Sequence, residues 1–130
     1  VLVVIIVIVA ILVSTQSSPP ATATRSLPAE ISVSDANEMR DSGAFLLDVR
    51  EPSEWEAVHI PGATLIPLGQ LQSRLNELPR DQEIVVVCRS GNRSAEGRNI
   101  LLSAGFEQVT SMAGGMNDWV RNGFPTATGP

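Results

Sequence analysis

From Ala29 onward the apolar residues come in blocks whose spacing keeps changing. "ISV" predicts a short strand, and "SDANEMRDSG" after it a helix that begins at Ser34 or Asp35 and stops at Gly43, a polar cap followed by a glycine terminator. "AFLLDV" is apolar without alternation, as expected of a strand covered on both faces. "REPSEWEAVHIPGA" reads as a loop with a short helical piece between Pro52 and Pro61, and "TLIPL" as a further short strand. In "GQLQSRLNEL", Leu71, Leu75 and Leu78 stand at helical spacing. "EIVVVC" predicts a strand, "SAEGRNILLSAG" a helix opened by Ser94 and closed by Gly105, "EQVTSM" a last strand, "AGG" a tight turn and "MNDWVRNG" a terminal helix. Strands alternating with helices in this way predict an α/β domain built on a mainly parallel sheet with helices on both faces. Ligands of such sheets bind beyond the carboxyl ends of the strands. Two polar clusters fall there, "DVRE" after "AFLL" and "CRSGNRS" after "EIVVV".

The first 28 residues follow a different pattern. Residues 1–13, "VLVVIIVIVAILV", carry no charge and would span roughly 20 Å as a helix, short of the roughly 30 Å hydrocarbon core of a bilayer. The run is read as a transmembrane anchor or a signal-peptide remnant, with the anchor preferred. Residues 14–28 are rich in Ser, Thr, Pro and Ala and read as a flexible linker, leaving 29–128 for the folded domain. Arg25 is the only cation near the apolar run. The linker side therefore lacks the positive flank of a cytoplasmic segment, and the domain is expected outside the cytoplasmic membrane, either anchored or, after signal cleavage, secreted or periplasmic.

Composition narrows the chemistry. A chain of 130 residues with 43% hydrophobic and 18% charged residues supplies one core. Net charge is −5, and all nine basic residues are Arg with no basic run, which argues against nucleic acid as a partner. Cys88 is the only cysteine and His59 the only histidine, so there is no internal disulfide and no His/Cys cluster for a metal. No cofactor is expected.

The single thiol stands at the end of an apolar strand, before a loop that leads directly into a helix. Backbone N–H groups and the positive end of the helix dipole converge there, and Arg89 and Arg93 add formal charge. Gly91 accommodates positive φ, so that with Ser90 and Asn92 it lets the backbone curl its N–H groups inward. Such a loop is an anion cradle with a thiolate nucleophile at its floor. The bland alternative, a buried cysteine ending a strand beside solvated arginines, fits the loop less well.

The segments "LLDVREPSEWEAVHIPGA", "IPL", "EIVVVCRSGNRSAEGRNILLSAGF" and "MAGGMNDWVRNGFP", in this order, resemble the rhodanese-like sulfurtransferases from about Ile31 to Pro125. The resemblance implies a single rhodanese domain, a five-stranded parallel sheet between helices with the active loop after the fourth strand. It implies that Cys88 accepts a sulfane sulfur as a persulfide and passes it to a thiophilic acceptor. Thiosulfate is a dianion whose outer sulfur a thiolate can attack, releasing sulfite, so the chemistry of the loop agrees. Arg89 and Arg93 are the candidates for the donor's sulfonate oxygens, and the backbone of Arg89, Ser90, Gly91, Asn92, Arg93 and Ser94 forms the anion cradle, with Ser94 also read as a helix cap. The partners expected are a small-molecule sulfur donor and a thiophilic acceptor: cyanide, a thiol or a protein thiol.

The resemblance also implies that Asp48 and Arg50 support the site through polar contacts. Taken alone, Asp48 could equally open a turn, and Arg50 could pair with Glu51 or Glu54 in solvent. His59, Trp55 and Trp119 are assigned to packing and hydrogen bonding, and Gly114 and Gly115 either to a close pass of the last turn by the site or, equally, to a simple turn. Two other functions remain in view: a non-catalytic rhodanese-like binding or regulatory module, and a phosphatase of the Cdc25 type. The resemblance implies a C-x5-R loop for the latter, whereas Cys88 and Arg93 here have four residues between them.

Overall fold

The computed structural model describes residues 26–130. The 1–13 run read as an anchor or signal remnant, and residues 14–25 of the linker, lie outside the described residues. Among the described residues no helix is long and apolar enough to cross a membrane.

Five strands form one sheet: β1 (Glu30–Ile31), β2 (Phe45–Asp48), β3 (Thr64–Leu65), β4 (Ile84–Val87) and β5 (Val109–Met112). Their order is β1-β5-β4-β2-β3, and all four pairings are parallel, as the block pattern predicted. The helices are α1 (Val33–Asp41), α2 (Pro52–Ala57), α3 (Leu68–Leu71), α4 (Asn92–Ser103) and α5 (Gly115–Arg121).

The missing alternation in the strand sequences has a direct cause. Successive side chains of β2 and β4 enter different cores: Leu47, Ile84 and Val86 face Leu71 and Leu101, whereas Leu46, Val85 and Val87 face Ala36, Met116 and Trp119. Both faces are dry, so every position but Asp48 at the end of β2 is apolar. α4 lies close on the sheet because residue 97 is glycine; a Cβ there would stand 3.1 Å from Val86 Cγ1.

Three boundaries differ from those the pattern predicts. α1 starts at Val33 rather than at Ser34 or Asp35, because the Ser32 side chain accepts the Asp35 N–H at 3.0 Å and caps the helix one or two residues earlier. The single helix expected over "GQLQSRLNEL" is broken into α3 and a 3-10 turn at Leu75–Glu77. Ser73 and Arg74 donate their N–H groups to the third residue back, and the Ser73 hydroxyl also takes the Gln70 carbonyl, which tightens the chain out of the α-helix. Leu71 and Leu78 reach the same core regardless. α4 begins at Asn92, two residues before Ser94, with Gly91 at φ 110° as its N-cap.

Candidate active site

β2 and β4 are neighbours, with Asp48 paired to Val87, so both polar clusters emerge on the same rim of the sheet. Cys88 follows Val87 on the central strand and is buried, at 1% exposure. Residue 91 turns the chain through a conformation that glycine adopts without strain, which brings its own N–H to 3.0 Å from the Cys88 sulfur. Ser94 Oγ lies 3.3 Å from that sulfur. Ser94 is therefore not the helix cap; it is the third residue of α4, fully buried, and its hydroxyl donates to Gly91 O at 3.0 Å. Behind it, Ser111 of β5 donates to Ser94 Oγ at 2.8 Å.

These contacts set the acidity of the thiol. Burial acts to raise it, but is outweighed by the Ser94 hydroxyl and by the backbone N–H groups of Ser94, Gly91 and Ser90, so that Cys88 ionises below its ordinary value. The donors of the cradle carry this effect.

The two arginines of the loop have separate places. The Arg93 guanidinium is engaged in a two-pronged pair with the Glu54 carboxylate, at 2.7 and 2.8 Å. Arg93, expected on the donor's sulfonate, thus has its fork filled by a side chain of α2. The Arg93 hydrogen bonds hold the Glu54 carboxyl down to about 2, against the opposing effect of burial. Arg89 is exposed, makes no ion pair among the described residues, and lines a groove of about 400 Å³ together with Glu54, Ala57, Met116 and Val120. The Ser90 and Asn92 side chains are exposed.

Asp48 and Arg50 form a buried ion pair, 1% and 3% exposed, with the closest contact at 2.7 Å. The alternative of a solvated Arg50 bonded to the carboxylate of Glu51 or Glu54 does not occur. Arg50 instead donates to the backbone carbonyls of Glu54 and Val58. It therefore holds α2 where Glu54 can reach Arg93, which gives Asp48 and Arg50 an indirect line to the loop.

The remaining side chains are structural. His59 stacks on Trp55 with centroids 3.8 Å apart, and since a carbonyl can only accept, its Nδ1 donates to Trp55 O at 2.8 Å. Trp119 is fully buried in the core. Gly115 makes the close pass: a Cβ on it would stand 2.5 Å from the Cys88 and Arg89 carbonyl oxygens. Those carbonyls accept the Met116 and Asn117 N–H groups at 2.8 and 3.1 Å. Sequence reasoning missed Glu54 and Ser111, which lie 39 and 17 residues from the loop residues they bond. Among the described residues no group of His, Cys, Asp and Glu could hold a metal ion.

Comparison with known proteins places this geometry. A model of the rhodanese-like domain family matches residues 32–122. The putative sulfur carrier protein YrkF of Bacillus subtilis is 43% identical over 79 residues, an alignment covering 61% of this chain and 43% of that protein, so the chain spans less than half of that relative's length. Thiosulfate sulfurtransferase GlpE of Pseudomonas syringae is 36% identical over 93 residues, covering 72% of this chain and 87% of GlpE. Among solved structures, a rhodanese-related protein from Thermoplasma volcanium superposes with a TM-score of 0.72 at 31% identity, covering 77% of this chain and 98% of that one. With its parallel sheet, its cysteine loop after the fourth strand and these relatives, the chain belongs to the rhodanese-like domain family, whose members include named sulfurtransferases.

Proposed function

We propose that this domain is a thiosulfate sulfurtransferase that carries a sulfane sulfur on Cys88. The observation that carries the reading is the sulfur itself, buried at the mouth of α4, facing the Gly91 N–H and ionising below its ordinary range. In the first step the Cys88 thiolate attacks the outer sulfur of thiosulfate. A new S–S bond forms, the S–S bond of the donor breaks, and sulfite leaves with the bonding pair. In the second step the acceptor, cyanide or a thiolate, attacks the outer sulfur of the persulfide and Cys88 leaves as the thiolate. No proton has to move in either step, so no general base is needed. Arg89, exposed beside the groove, is the cation for the donor's sulfonate, and Arg93 acts as the clamp between loop and α2.

Four residues between Cys88 and Arg93, and an Arg93 already paired to Glu54, support sulfur over a larger phosphoryl group. The test is a mass spectrum after incubation with thiosulfate. Cys88 gains one sulfur, which cyanide removes as thiocyanate, and Cys88→Ser gains none. Absence of that sulfur together with Cys88-dependent hydrolysis of an aryl phosphate overturns the assignment.

The uncharged 1–13 run and the lone Arg25 in the linker support a membrane-anchored domain on the extracytoplasmic side, with secretion after cleavage as the alternative. Labelling of Cys88 in intact cells by a reagent that cannot cross the membrane is expected; labelling only after lysis overturns this location.

A further inference from the structure

Ser111 is a polar residue in a position that the fold would otherwise fill with an apolar one. Strand β5 is buried along its whole length, and Ser111 is 1% exposed, paired in register with Val86 of β4. Burying a hydroxyl is unfavourable unless it is hydrogen-bonded. The Ser111 hydroxyl donates to Ser94 Oγ at 2.8 Å, and Ser94 Oγ is in turn 3.3 Å from the Cys88 sulfur. Three buried groups, on β5, α4 and the end of β4, thus form a line that ends on the nucleophile.

We propose that Ser111 is a positioning residue for the Cys88 thiolate, acting through Ser94. A serine hydroxyl has one proton and two lone pairs, which fixes how the line works. With Cys88 protonated, Ser94 Oγ accepts from the thiol and from Ser111 and sends its own proton to Gly91 O. With Cys88 ionised, the Ser94 proton turns from Gly91 O to the sulfur, while the bond from Ser111 is unchanged. Ser111 therefore holds the oxygen in place in both states. Its donated bond also polarises the Ser94 O–H, so the bond to the thiolate strengthens more than the bond to a neutral thiol would.

Cys88 is the one ionisable group in the line. The charged groups around it are Arg93 with its partner Glu54, the Asp48–Arg50 pair at the end of β2, exposed Arg89, and Asp118 on α5. All but Arg89 are in ion pairs, and none of them hydrogen-bonds the Ser111 side chain.

The role rests on the sulfurtransferase reading only for its purpose; the test reads the thiol directly, without sulfur transfer. The rate of Cys88 alkylation is measured against pH for the wild type, Ser111→Ala, Ser94→Ala and the double variant. Loss of one buried donor is expected to slow Ser111→Ala about three- to fivefold on the acid limb and to leave the alkaline plateau unchanged. Ser111→Thr, which keeps the hydroxyl, returns the acid limb to the wild-type rate. In the Ser94→Ala background, Ser111→Ala has no further effect, because the line is already cut. A Ser111→Ala profile that superposes on the wild type overturns the proposal. So does an equal slowing with and without Ser94, which would mean that Ser111 acts by another route. If Ser111→Ala does not fold, Ser111→Gly lacks the same hydroxyl and is judged by the same criteria.

Discussion

Replacing Glu54 by Gln removes the charge that holds α2 against the active loop while keeping the shape of the side chain. The wild-type carboxylate receives both prongs of Arg93 and also accepts the Glu51 N–H at 2.9 Å. Gln can still accept at one oxygen, but it turns an amino group towards the second prong. The fall of the Glu54 carboxyl from 4.5 to about 2 sets an upper bound of roughly 3.4 kcal/mol on the lost stabilisation, at about 1.36 kcal/mol per tenfold. The two side chains are 27% and 33% exposed, so solvent screens part of that, and about 2 kcal/mol is expected. A carboxyl whose folded value is depressed stabilises the fold above its unfolded value and loses that contribution as pH falls through the folded one. Urea denaturation should therefore show wild type above Glu54→Gln by about 2 kcal/mol at pH 7, the gap shrinking below about pH 4.5, half gone near pH 3.3 and closed below about pH 2. A gap of the same size at pH 7 and pH 3 would refute the electrostatic account and assign the loss to packing. No gap at pH 7 would show that the pair is no better than an exposed one.

Gly115→Ala should cost more than about 2 kcal/mol and should also depress Cys88 alkylation, because the new Cβ meets backbone carbonyls at a positive φ; Gly62→Ala, with open space around it, should cost only about 1 kcal/mol and leave the thiol unchanged. Denaturant titration and alkylation rates of the two variants check this side by side. Asp48→Asn should cost about 3–5 kcal/mol in the same titration, since it leaves the Arg50 guanidinium buried without its counter-charge; a loss below about 1 kcal/mol would show that water reaches the pair.

What the sequence revealed of this molecule depends on distance along the chain. β4 was legible because a strand dry on both faces draws mainly apolar residues, as "IVVV" shows. The place of Cys88 was legible because strand, glycine and helix follow one another within seven residues. The partner of Arg93 was not: an arginine beside a cysteine looks like a free cation, and nothing local says that Glu54, brought across by the Asp48–Arg50 pair, takes its fork. Ser94 was misplaced for a related reason. A serine near a helix start is usually a cap, but Gly91 ends the turn earlier, and Ser94 falls inside the first turn, where its hydroxyl reaches the sulfur. Ser111 gave no signal, since a serine in a strand shows its meaning only when the strand's neighbour is known. The helix pattern of Leu71, Leu75 and Leu78 was met by a tighter chain that delivers Leu71 and Leu78 to the same core.

The bonds from Met116 and Asn117 of α5 to the carbonyls of Cys88 and Arg89 have a consequence for how the loop is wired. Every peptide unit presents an oxygen on one side and an N–H on the other, so fixing where the oxygens go also fixes where the nitrogens can point. The first turn of α5 has N–H groups that its own helix cannot satisfy, and no side chain caps it. Two of these, on Met116 and Asn117, take the Cys88 and Arg89 oxygens. The peptide that carries the Arg89 oxygen also carries the Ser90 N–H, which is one of the backbone donors that hold the Cys88 thiol below its ordinary value. The polarity of the cradle is therefore imposed from outside it, by the helix that binds its carbonyls. A copy of "CRSGNRS" grafted onto another strand and helix, without a glycine-opened helix end behind it, would keep the residues and lose the orientation that makes them receptive to negative charge.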